Sequence, residues 1–81
     1  MQIDIYETDD QLVGTVELDA PPPIGAILKF AIPNVSVIDR YRVRAIEYVF
    51  STEHVGEAVK TLETRLVDVR CLVEQISHET F

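Results

Sequence analysis

The chain has 81 residues, 47% of them hydrophobic and 26% charged, with a net charge of −7. That length accommodates one hydrophobic core and therefore one domain, residues 1–81, and the apolar share is too high for a disordered acidic tail. The excess of acids makes nucleic acid or anionic lipid an unlikely partner, because basic side chains drive such binding by displacing counterions, and no window approaches the ~18 apolar residues of a membrane-spanning helix.

Residues Gln2 to Glu7 alternate, with Ile3 and Ile5 on one side and Asp4 on the other, which is the period of a half-buried strand. Thr8, Asp9, Asp10 and Gln11 supply polar turn chemistry, and Leu12 to Leu18 pairs with the first strand as an antiparallel hairpin, with Gly14 as a bulge or close-packing point. Pro21, Pro22 and Pro23 cannot donate to a ladder and stop this unit. Gly25 offers the positive φ needed to turn into a third strand, Ala26 to Ile32, which Pro33 and Asn34 end. Val35 to Asp39 reads as either a brief extension or a loop.

Tyr41 to Phe50 is rich in β-branched and aromatic residues and reads as a fourth strand. Its phase shifts: Val43 and the set Ile46, Tyr48 and Phe50 have opposite parity, so a bulge near Ala45 is expected to turn both inward and bend the strand. Val55, Ala58, Val59, Leu62 and Leu66 then recur at helical spacing, which predicts a short helix over residues 53–63, with a long hairpin loop as the alternative. Arg65 to Ile76 returns to period two as a fifth strand, with Val67, Val69, Cys71 and Val73 inward and Asp68, Arg70 and Glu74 outward. Ser77 to Phe81 reads as a tail. The expected fold is mainly β: a small five-stranded antiparallel barrel or curled sheet with one short helix before the last strand.

Pro22-Pro23-Ile24-Gly25 running into Ile27-Leu28-Lys29-Phe30, followed by Tyr41-Arg42-Val43-Arg44-Ala45-Ile46-Glu47, resembles a loose class of small bacterial and phage-borne proteins built as Src-homology-3-like (SH3-like) barrels. The resemblance covers residues 21–50. It implies a barrel fold and an association with mobile elements, and no activity.

Arg40, Arg42 and Arg44, flanked by Tyr41 and Tyr48 and with Lys29 on a neighbouring strand, form a candidate anion-binding strip; the plainer reading is a solvated face whose arginines pair with Asp68, Glu74 or Glu47. Glu53, His54 and Glu57 stand one helical turn apart like metal ligands, but further ligands would have to come from elsewhere, His78 and Glu79 for example, so a surface helix is the simpler reading and no cofactor or metal is expected. Cys71 lies on the inward side of an apolar strand, where a thiol behaves as a small hydrophobe rather than a nucleophile. Glycine loops for phosphate and serine-hydrolase motifs are absent from the sequence.

The single cysteine forms no intrachain disulfide and suits a reducing compartment, and the chain opens on strand-like alternation rather than a leader, so a cytoplasmic location is expected. A core of this size supplies about 3–5 kcal/mol, which favours stabilisation by a second subunit. Three functions follow as expectations. The first is a non-enzymatic interaction module that self-associates through an edge strand or the predicted helical connection. The second is an acidic decoy presenting Asp4, Glu7, Asp9, Asp10, Glu17 and Asp19 to a basic nucleic-acid-binding protein. The third is a small enzyme or ligand carrier with a pocket at a subunit interface.

Overall fold

The computed structural model, which describes residues 1–8, 10–54 and 62–80, contains five strands, whose apolar residues alternate in phase between bulges. They are β1 (Gln2–Glu7), β2 (Leu12–Glu17), β3 (Ile27–Ile32), β4 (Val37–His54) and β5 (Leu62–Thr80). They form one sheet in the order β2-β1-β5-β4-β3, curled into a half-barrel. The inner face of the curl holds the core: Ile3, Ile5, Val43, Cys71 and Val73 are fully buried, and Tyr41 and Val69 nearly so. Val13, Val16, Ala26, Leu28, Phe30 and Ile46 pack around them.

Three sequence expectations change. The sheet is not purely antiparallel, because β1 and β5 run parallel, with Asp4 opposite Arg70 and Glu7 opposite Val73. Among the described residues there is no helix: Glu53 pairs with Glu63 and His54 with Leu62, so both ends of the predicted 53–63 helix extend the β4–β5 ladder, while residues 55–61 lie outside the described residues. The expected tail is strand as far as Thr80, which pairs with Val37. That partner also resolves Val35 to Asp39: the turn ends at Ser36, whose φ is 52°, and β4 begins at Val37.

Bulges set which side chains reach the core. Val43 opposes Val73 and Ala45 opposes Leu72, which leaves Arg44 as the extra residue. This is the expected phase shift, and it lets Val43 and Ile46 both face inward. Ile76 is skipped between the Arg40–Ser77 and Tyr41–Gln75 pairs, and Val67 between Val49–Asp68 and Phe50–Leu66. In the first hairpin the skipped residue is Val13. Gly14 is therefore not the bulged residue, nor is it a close-packing point, since a Cβ there would meet nothing within 4 Å.

The proline segment carries the chain from β2 at one edge of the sheet towards β3 at the other. Gly25, at φ 92°, turns it, its N–H donating to the Val43 carbonyl at 2.8 Å while the Val43 N–H donates to the Ala26 carbonyl at 2.9 Å. The main chain of Val43 is thus satisfied by a segment that cannot itself form a strand.

β4 and β5 outrun their neighbours. β3 pairs with β4 only from Val37 to Arg42, and β1 pairs with β5 only from Arg70 to Val73. From Glu47 to His54 and from Leu62 to Val69 no third strand joins the two among the described residues, and they form an arm that gives the molecule its 63 × 21 × 21 Å dimensions.

Candidate functional site

Alternation along β4 places Arg40 and Arg42 on the outer face and Asp39, Tyr41 and Val43 on the inner one. The structure therefore keeps Arg40 and Arg42 together on the outer face and parts them from Tyr41. Arg40 Nη1 donates to Glu79 Oε1 at 2.8 Å, and Arg44 Nε donates to Glu74 Oε2 at 2.6 Å. Tyr41 is buried in the core and stacks edge-on against Phe30, with ring centroids 5.7 Å apart. Tyr48 follows Ile46 in an uninterrupted stretch of ladder, opposite buried Val69, so it lies on the inner side of the sheet, away from the arginines. Lys29 opposes Arg40 across the β3–β4 ladder. Two of the three arginines are thus held by carboxylates in exposed pairs of the kind worth about 0.2–1 kcal/mol each.

The remaining outer charges are organised around Arg70. Its Nε donates to Asp68 Oδ2 at 3.1 Å, and its guanidinium lies over the ring of Tyr6. This hydrogen bond, reinforced by one from the Val69 main-chain N–H, holds the Asp68 carboxyl below its ordinary range against an opposing contribution from burial. Thr15 Oγ1 donates to Asp4 Oδ1 at 3.0 Å, and the amino terminus pairs with Glu17 at 2.7 Å. Asp4 lies on the outer face and Glu7, in phase with Ile3 and Ile5, on the inner one, so the acids are divided between the two sides of the sheet.

A concave feature lies on the inner side, where the half-barrel stays open. β2 and β3 end the sheet, and no Cα of one comes within 8 Å of a Cα of the other. Between them is a cleft of about 620 Å³ with Gln11, Leu12 and Val13 on one wall and Lys29, Phe30, Ala31 and Ile32 on the other. Glu7, Asp39 and Tyr41 form its polar part. Asp39 Oδ1 accepts from Gln75 Nε2 at 3.2 Å and pairs with His78 Nδ1. Burial, and then the carboxylates of Asp39 and Glu7, push the Tyr41 phenol upward and keep it neutral. The sequence strip included Tyr41 but missed Glu7, Asp39 and His78, which come together only through the β1–β5 and β4–β5 pairings.

Chemistry at the other candidates is limited. Cys71 is fully buried, and burial raises its thiol pKa, so it offers no accessible thiolate. Glu53 and His54 lie on β4 rather than on a helix, and Glu57 lies outside the described residues. Among the described residues no three His, Cys, Asp or Glu side chains are grouped to hold a metal ion, and no helix is long and apolar enough to cross a membrane.

Comparison with known proteins finds no matching family model, no matching curated protein and no matching solved structure.

Proposed function

We propose that this protein is a non-enzymatic interaction module that associates with a second copy of itself through the β4–β5 arm. One observation carries the reading: Tyr48 (51% exposed), Phe50 (54%) and Leu66 (43%) continue the inner, apolar face of the sheet along the arm, where no other strand among the described residues covers it. Phe50 opposes Leu66 directly, so the two share that face. Bulged Val67 adds further exposed apolar surface beside them.

An isolated two-stranded ribbon is marginally stable in water. The arm therefore needs a cover, and a second copy brings an identical apolar ribbon that a two-fold axis can lay against the first. Among the described residues neither outer edge of the arm is joined to a further strand of the sheet. The same proposal takes the half-barrel as a variant of the SH3-like barrel of the bacterial and phage-borne proteins that the middle of the chain resembles, working in the cytoplasm. The bulged β4 and the proline turn into β3 support that part, while the parallel β1–β5 pair is the departure from it.

Light scattering after gel filtration tests the reading. The expected mass is twice that of the chain, falling to one chain in the double variant Tyr48→Glu, Phe50→Glu, whose circular dichroism stays β. A single-chain mass for the unaltered protein across micromolar to millimolar concentrations overturns it.

A further inference from the structure

We propose that the open side of the half-barrel, between β2 and β3, accepts an extended strand of a partner protein with a basic side chain, which bonds to both sheet edges and places its charge between Glu7 and Asp39. The site is separate from the arm and does not depend on self-association.

The walls of the cleft favour a strand over a compact ligand. In a strand successive side chains leave on opposite faces, so a surface lined by consecutive residues is lined by main chain. Gln11 to Val13 on one wall and Lys29 to Ile32 on the other are consecutive runs. Lys29 alternates with Leu28 and Phe30, which pack on the core, so it contributes its main chain here and sends its ammonium to the outer face. Among the described residues β2 pairs with no strand but β1, and β3 with none but β4, so each presents one sheet edge to the cleft. Neighbouring strands lie about 4.8 Å apart, so one inserted strand needs a gap of roughly twice that. With no Cα pair within 8 Å, β2 and β3 do not bond to each other across the cleft that both line, and a strand placed there converts two exposed edges into a closed barrel.

Charge decides which strand. Among the described residues the Glu7 carboxylate has no side-chain hydrogen-bond partner, and the side-chain bonds of Asp39, to Gln75 and His78, fall on Oδ1 rather than Oδ2. The Tyr41 hydroxyl beside them adds a third polar group with no partner among the described residues. These groups sit among Leu12, Val13, Phe30 and Ile32, a largely apolar setting with a few convergent polar atoms, as in ligand sites generally. Two carboxylates attract an ammonium or guanidinium and repel an acidic side chain.

The test uses the full chain and capped octapeptides of alternating valine and lysine, the same peptide with glutamate for lysine, and the lysine peptide with alternate main-chain nitrogens methylated. The lysine peptide is expected to shift the amide resonances of residues 11–13 and 29–32 and to slow their hydrogen exchange. It should bind at least about tenfold more tightly than the glutamate peptide, and methylation should abolish binding. Glu7→Gln, which breaks no bond seen in the fold, should reduce the preference for lysine several-fold, and Glu7→Gln with Asp39→Asn should nearly remove it. The same results are expected with the arm variant, which separates this site from self-association. Equal binding of lysine and glutamate peptides, resonance shifts confined to the arm, or competition by capped single lysine at the same concentration as the peptide would each overturn the proposal.

Discussion

Arg70 on β5 lies over the ring of Tyr6 on β1, its guanidinium carbon 5.1 Å from the ring centroid, and donates at the same time to Asp68. The pair spans the parallel junction that joins the β1–β2 hairpin to the long β4–β5 hairpin. Arg70 thereby ties two strands that are far apart in sequence, through a cation over an aromatic face rather than through a buried ion pair.

The hydrogen bond from Arg70 holds the Asp68 carboxyl below its ordinary value of 3.8. A lowered folded pKa means that the bond stabilises the fold above the unfolded value, and that this contribution disappears as pH falls through the folded value. Urea midpoints measured from pH 5 down to pH 2 should therefore decline below about pH 4, and Asp68→Asn should flatten part of that decline. A decline of equal size in the variant would show that Asp68 plays no part in it.

Tyr41 gives the opposite sign. Its folded pKa lies above the ordinary 10.0, so the unfolded chain ionises first and stability is lost as pH rises beyond 10. Tyr41→Phe keeps the ring against Phe30, should cost less than about 1 kcal/mol at neutral pH, and should lessen the alkaline loss. Tyr41→Ala should cost about 3–5 kcal/mol, close to the whole stability of a domain of this size. An alkaline profile unchanged by Tyr41→Phe would contradict the burial of the phenol.

Cys71 should be silent to thiol reagents while the protein is folded. Its side chain is fully buried and its thiol is pushed up by that burial, so reaction requires opening of the β4–β5 ladder. Labelling by an aromatic disulfide should be slow in buffer and complete in denaturant, and Cys71→Ser should cost about 1–3 kcal/mol by burying a hydroxyl without a partner. Rapid stoichiometric labelling of the native protein would place Cys71 outside the core.

Ser77 carries the reverse expectation. Its hydroxyl is buried with no hydrogen-bond partner among the described residues, beside the bulge at Ile76. An unsatisfied hydroxyl is a cost, so Ser77→Ala should leave the urea midpoint unchanged or raise stability by up to about 1 kcal/mol. A loss larger than that would mean that the hydroxyl is bonded in solution.

Local alternation marked the three short strands, and opposite parities at Val43 and Ile46 marked the bulge between them, because both signals live within a few residues. The predicted helix shows where that signal is ambiguous. Leu62 and Leu66 stand four apart, which is one helical turn but also an even number that suits a strand, and both fall within β5. Only the pairing with β4 separates the two readings. Arg40 and Tyr41 are adjacent in sequence, so grouping them in one strip ignored the same alternation that sends one outward and the other into the core.

From its amino acids alone the chain determined that it is acidic and mainly β with one oily side, since period-two patterning and composition are properties of short stretches and of the whole. Tertiary structure decided what neighbours what: the parallel contact of β1 with β5, the arm beyond it, and the cleft where Glu7 meets Asp39 and Tyr41. The physical reason is that main-chain hydrogen bonds between strands carry no side-chain label, so any exposed edge can bond to any other until packing of the common core selects one arrangement.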